Sequence, residues 1–295
     1  MALSSPATVH TPVPGLLDRV PSAGLVVLAI IGFQLGAVVA KPAIEAAGPV
    51  HAAFLRTLLG AVMLLAWQRP RFPLSKREWQ LAIAAGLTLM LNSLLIYAAF
   101  ERIPVGIAVA IGFWGPMALA IHGSRRAIDY VWIGLAIVGI LLFTPLADAS
   151  FDTTGVVLAV LAGAGFAATL IFASRLGRAM GGIPAAGMAM VAGSVMIAPF
   201  SIGTGLQDHF EAAFLGRMLL VAVLINIFGF AIEYTALTRV KPSLYAILIS
   251  TEPAVGAALG FLLLGETIGW LGAAGISAVA AASIGASRTH QRSTI

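Results

Sequence analysis

Cysteine is absent from this 295-residue chain, which excludes disulfides and thiolate metal sites. Charge is nearly as scarce: Asp, Glu, Lys and Arg supply 10% of the residues, against roughly 25% in ordinary soluble domains. Histidine is thinly spread as His10, His51, His122, His209 and His290, without the spacing of metal ligands. No nucleophile and base cluster near one face, so an integral membrane enzyme is the remote alternative, and no cofactor or metal is expected. A short apolar leader ending in a small-residue cleavage site is also lacking, so the first apolar run is expected to act as an uncleaved signal anchor.

What the chain has instead is apolar sequence, 60% of its residues, gathered into ten runs. They cover residues 23–40, 49–67, 79–100, 104–122, 128–146, 155–174, 183–202, 214–234, 242–264 and 268–287. Each is long enough, at about 1.5 Å per residue, to cross roughly 30 Å of hydrocarbon as a helix. Barrel strands would be half as long and alternating. The expected fold is therefore all-α and integral to the membrane, with ten transmembrane helices. Residues 1–20, rich in Pro and polar groups, read as a disordered cytoplasmic tail, and residues 288–295 as a second one.

Orientation follows from the basic residues, which cytoplasmic loops retain. Of the seventeen Lys and Arg, thirteen fall on one side, among them Arg69, Arg77, Arg125, Arg175, Arg178, Arg239 and Arg288. Lys41, Arg102 and Arg217 fall on the other side, and Arg56 within a span. Both termini are expected in the cytoplasm of a cell whose inner, or plasma, membrane holds the chain. The net charge of +5 is thus spread through short loops beside lipid, which accounts for it without a nucleic-acid partner.

The chain also repeats. Tyr97, Ala99, Arg102 and Pro116 recur 137 positions later as Tyr234, Ala236, Arg239 and Pro253, and residues 26–29 recur as 156–159. The two units cover residues 21–147 and 155–287. Five spans in each, an odd number, make the second enter the membrane from the opposite side: an inverted repeat, suited to a site that faces two compartments in turn.

Charges inside spans are costly and mark function. Arg56 lies mid-span in HAAFLRTLLGAV, where a cation costs at least about 2.5 kcal/mol. It either ties helices together through carbonyls or a buried acid, or serves as a planar fork for a substrate carboxylate. Glu252, in ILISTEPAVGA, precedes Pro253, which removes a helical hydrogen bond and frees the carbonyl of Ile249. A broken helix beside a midplane acid suits substrate binding or proton exchange; a static acid or a bridge to Arg56 is the alternative. Lys41 fits either a substrate role or snorkelling to the interface. Gln34, Asn92, Asn226 and Glu233 lie in spans or at their ends, where amides commonly join helices and Glu233 has Arg239 as an interfacial partner. Trp67, Trp79, Trp132 and Trp270 sit near span ends as expected of an interfacial belt. Trp114, beside Gly115 and Pro116, is the mid-span exception and a candidate for the pathway wall.

Several passages carry a resemblance: FQLGAVVAKP, AAFLRTLLG, VGIAVAIGFWGP followed by SRRAIDYVW, and above all EYTALTRV with STEPAVGAALGFLLLGET. From Gln34 to about Gly272 the chain resembles the threonine and homoserine exporters of the EamA branch of the drug/metabolite transporter superfamily. The resemblance implies a ten-helix inner-membrane exporter with two inverted repeats around a substrate cavity. Gln34, Lys41, Arg56, Tyr97, Glu233, Arg239, Glu252, Pro253, Gly265 and Glu266 match the family pattern. Gly112 stands where an acid is expected, Trp114 where a small polar residue is, and Phe166 and Thr169 where Trp and Tyr are. These departures make the cavity less polar.

The resulting expectation is a proton-linked exporter of a small zwitterion such as threonine or homoserine. Arg56 holds the carboxylate, Glu252 draws the ammonium or exchanges with a proton, and Trp114 and Tyr97 shape the walls with Gln34 and Lys41 nearby. Glu233, Glu252, Pro116 and Pro253 serve coupling and gating, with the proton gradient as the drive. A carrier of a more apolar or cationic compound, for which Glu252 alone would suffice, is the second reading.

Overall fold

The computed structural model describes residues 20–103, 108, 111–123, 126–143, 152–206, 211–252, 255 and 270–291. Among these, every regular element is helical and no strand occurs. Among the described residues there are nine helices: α1 (Ser22–Trp67), α2 (Lys76–Phe100), α3 (Trp114–Gly123), α4 (Ala127–Phe143), α5 (Thr153–Met180), α6 (Gly182–Gly203), α7 (Ala212–Arg239), α8 (Pro242–Ile249) and α9 (Trp270–Gln291). Five stretches, Pro42–Trp67, Lys76–Phe100, Thr153–Met180, Gly182–Gly203 and Ala212–Arg239, are long and apolar enough to cross a membrane, and Ser22–Ala37 and Ala127–Gly139 are shorter apolar helices. The tail expected before residue 20, Pro253, Gly265 and Glu266 lie outside the described residues, as does the side chain of Lys41, whose backbone continues α1.

Local chemistry sets the helix ends. The first two expected spans form one element, α1, broken at Gly48, which takes φ 80° and ψ 164°. That left-handed conformation costs glycine little, and Pro49, lacking an N–H, starts the second arm where no intrahelical donor is needed. Helix α2 opens with a capping box: Ser75 Oγ accepts from the Glu78 N–H, and the Glu78 carboxylate accepts from the Ser75 N–H at 2.7 Å. Asp152 caps α5 by accepting from the N–H groups of Thr154 (2.7 Å) and Gly155 (3.2 Å). Helix α7 contains a π-helical stretch, Val223–Ala231, between two α-helical arms. Such stretches widen a helix and recur at functional sites.

Small residues govern packing. Helix α2 lies along α5, α1 contacts α6 and α7, α4 contacts α9, and α3 contacts α8. A Cβ on Gly32 would meet the Phe228 carbonyl carbon at 2.7 Å and the Gly229 nitrogen at 2.8 Å, so α1 touches the backbone of the π-helical stretch. Gly86 of α2 meets α6 in the same manner, 2.6 Å from the Ala189 oxygen. Without a hydrophobic drive between helices in lipid, this close approach is how they associate. Large apolar side chains such as Val62, Val195, Phe200 and Leu141 point outward, a surface that lipid solvates and water would not. Trp67, Trp79 and Trp270 are exposed at helix ends. Trp132 departs from the expected belt: its ring packs over Gly285 of α9, where a Cβ would meet it at 2.5 Å.

Candidate functional site

A cavity of about 880 Å³ lies between α1, α2, α5 and α7, with Glu252 also on its wall. On α2 the lining residues are Asn92, Ser93, Ile96, Tyr97, Phe100 and Glu101, a sequence spacing that places them along one helical stripe. Glu101 and, on α1, Glu45 are exposed lining residues and mark the mouth. Helix α2 starts at Lys76 and rises about 1.5 Å per residue. The mouth is therefore at the opposite end of the bundle from Arg77, which sits beside Arg175 and Arg178.

Arg56 borders the cavity and is only 2% exposed. Its Nη1 donates to Asn226 Oδ1 at 3.1 Å and its Nη2 to Ser93 Oγ at 2.9 Å. Asn226 in turn donates from Nδ2 to the Arg56 carbonyl at 2.7 Å, gripping side chain and backbone together. Gly60 makes this possible, because a Cβ there would collide with the Asn226 amide. The Phe230 ring lies 5.5 Å from the guanidinium carbon, a cation–π contact. Among the described residues Arg56 has no carboxylate partner, and its Nε has no hydrogen-bond acceptor. Neutral groups thus fix the fork without neutralising it, and a buried cation held so retains a strong demand for an anion.

Carboxyls occupy the same cavity. Glu252 follows the end of α8 at Ile249, where Ser250 and Thr251 turn the chain and return their hydroxyls to the Ile247 and Leu248 carbonyls. The break expected around Glu252 is therefore present on its N-terminal side. Gln34 donates from Nε2 toward both Glu252 Oε1 and the Glu252 carbonyl at 3.4 Å. Glu233 is fully buried; its Oε2 accepts from the Tyr245 hydroxyl at 2.9 Å, and its Oε1 has no partner among the described residues. Glu233 lies in the cavity wall, so the interfacial pairing with Arg239 is replaced: Arg239 Nη1 donates to the Val20 carbonyl at 3.0 Å.

The structure brings Gln34, Arg56, Tyr97, Glu233 and Glu252 to one cavity, and Gly112, Phe166 and Thr169, the departures from the family pattern, line it too. Trp114 does not. It is 44% exposed, its indole N–H donates to the Val160 carbonyl at 2.7 Å, and its ring lies against Gly163 of α5. Its position at the start of α3, where the α3 backbone meets α5 through Gly115 and Gly163, turns the side chain toward lipid. Pro116 is buried in the first turn of α3, where a missing N–H costs nothing, and does not reach the cavity. Ser93 and Tyr245 were not legible as partners of Arg56 and Glu233; a hydroxyl amid apolar helix residues was the available signal.

A family model, the EamA-like transporter family, matches residues 153–288. The chain is 32% identical over 286 residues to the threonine/homoserine exporter RhtA of Escherichia coli strain K12, covering 95% of this chain and 96% of that one. Against the protein of the same name from Salmonella typhimurium it is 32% identical over 272 residues, covering 91% and 92%. An uncharacterized transporter of Bacillus subtilis, YwfM, is 24% identical, with 78% and 82% covered. A solved crystal structure shares the fold with a TM-score of 0.73 over 92% of this chain and 98% of that one, at 15% identity.

Proposed function

Because this chain belongs to the EamA-like transporter family, we propose that it exports a small zwitterionic metabolite, threonine, homoserine or a relative, across the inner membrane. The observation that carries the reading is the unneutralised guanidinium of Arg56 facing the same cavity as Glu252. A zwitterion supplies the missing anion to Arg56 and offers its ammonium to Glu252 and Glu233. The relatives named as threonine/homoserine exporters favour that substrate class.

The architecture in this proposal is ten spans in two inverted five-helix units, the arms of α1 on either side of Gly48 being the first two. The family match to residues 153–288 alone supports a repeating unit of that length. The basic end, with Arg77, Arg175 and Arg178, faces the cytoplasm together with both termini, so the cavity mouth at Glu45 and Glu101 opens outward. Rocking of one unit on the other would present Arg56 and Glu252 to the cytoplasm. Exchange of the substrate ammonium for a proton at Glu252, with Glu233 as the second acid and Pro116 and Pro253 in gating roles, gives antiport driven by the proton gradient.

The second reading, a carrier of a more apolar or cationic compound, draws on the aromatic lining from Phe33, Phe113, Phe166 and Phe230. Counterflow in proteoliposomes separates the two. Liposomes loaded with unlabelled threonine are expected to accumulate external labelled threonine, and loading with a lipophilic cation is expected to have no effect. Exchange supported by the cation and not by threonine overturns the zwitterion proposal.

A further inference from the structure

Among the polar side chains of the cavity, most are already engaged. Gln34 donates to Glu252, Ser93 accepts from Arg56 and donates to the Leu89 carbonyl, and Thr169 donates to the Gly165 carbonyl at 2.9 Å. Asn92 differs: it lines the cavity and its amide has no hydrogen-bond partner among the described residues. Its place is fixed, because Gly165 of α5 lets that helix approach the Asn92 backbone; a Cβ at Gly165 would meet Asn92 Cα and Cβ at 3.3 Å. Asn92 is also the neighbour in sequence of Ser93, which holds the Arg56 fork. Arg56 and Asn92 line the same cavity, so a molecule whose carboxylate sits on Arg56 occupies space that the Asn92 amide borders. The surrounding wall is apolar, supplied by Ile96, Phe113 and Phe166.

We infer that Asn92 reads a hydroxyl group on the side chain of the transported amino acid. An amide offers a donor and an acceptor side by side, and a hydroxyl both donates and accepts, so the two can satisfy one another. The paired ends also meet a hydroxyl on either the β or the γ carbon, which is the difference between threonine and homoserine. Removing that hydroxyl from either compound gives the same molecule, 2-aminobutyrate, which leaves the amide unpaired in an apolar wall. An apolar pocket discriminates poorly for or against a hydroxyl, whereas a polar group left unmatched discriminates well. Tyr97, whose hydroxyl also lacks a partner among the described residues, presents donor and acceptor on one atom at the end of a large ring, whereas the amide presents them on two. This inference rests on the proposed zwitterion transport, since it presupposes a carboxylate on Arg56.

The test is the ratio of threonine to 2-aminobutyrate transport in proteoliposomes, a quantity independent of how much protein is correctly inserted. The full chain is expected to prefer threonine, and Asn92→Leu and Asn92→Ala to lower the ratio by about tenfold, the worth of one neutral hydrogen bond. The ratio should fall from both sides, threonine losing its hydroxyl partner and 2-aminobutyrate no longer stranding an amide. Leu keeps the side-chain volume and Ala cannot clash, so at least one variant remains measurable. A wild-type ratio retained by both variants, or a wild-type protein that carries the two compounds equally, overturns the role of Asn92 and leaves the zwitterion reading standing. A wild-type protein that carries neither compound overturns both.

Discussion

At the scale of single residues, the decisive feature is that Arg56 is held by neutral groups. Asn226 grips it twice, through Nη1 and through its backbone carbonyl. Asn226→Ala is expected to destabilise the protein by about 1–3 kcal/mol, since it strands a buried donor and a buried carbonyl, and to lower the unfolding temperature in detergent. An unchanged unfolding temperature would mean that the clamp carries no weight. Arg56 and Glu252 were legible in the sequence because charge inside an apolar run needs a cause. Their partners were not: a serine or an asparagine in a membrane helix is common, and only the three-dimensional path of α2 and α7 brings Ser93 and Asn226 to the guanidinium. Trp114 misled for the same reason. Its spacing within the span was correct, but the Gly115 contact with Gly163 rotates it outward.

At the scale of elements, helix ends and close contacts do the organising. Arg102 at the end of α2 pairs with Asp152 at 3.3 Å and so ties α2 to the start of α5. The Gly155 N–H, ahead of the Thr154 N–H and Arg102, holds the Asp152 carboxyl below its ordinary range. A carboxyl lowered by folding contributes stability that is fully present above its unfolded pKa and is lost as pH falls through the lowered value. Wild type is therefore expected to unfold at a higher temperature than Asp152→Asn at pH 7, with the gap closing as the pH is taken below the normal aspartate range. A gap of constant size across that titration would contradict the cap. Apolar run length was enough to place the five long spans among the described residues, because hydrocarbon thickness fixes how long a span must be. The joining of the first two runs across Gly48 and the π-helical stretch in α7 were not, because both depend on backbone geometry that no apolar pattern records.

At the scale of the whole molecule, the basic end and the cavity mouth lie at opposite ends of α2. The absence of native cysteine makes their orientation directly measurable. In intact cells a membrane-impermeant maleimide is expected to label Glu101→Cys and not Arg77→Cys; the reverse pattern would invert the topology. The paired repeats in sequence pointed to two halves; in the structure α2 packs along α5, and α1 against α6 and α7. The existence of a cavity was inferred from two charges, but its lining by α5 and α7 could only come from that packing. All of this turns on whether the Arg56 fork holds the carboxylate of a transported molecule. Threonine counterflow by Arg56→Lys measures it most directly, because lysine keeps the positive charge and loses the planar pair of donors. A fall of at least about tenfold in counterflow is the predicted result, of the order expected when charge-assisted hydrogen bonds are lost. Counterflow equal to that of the wild-type protein would contradict it.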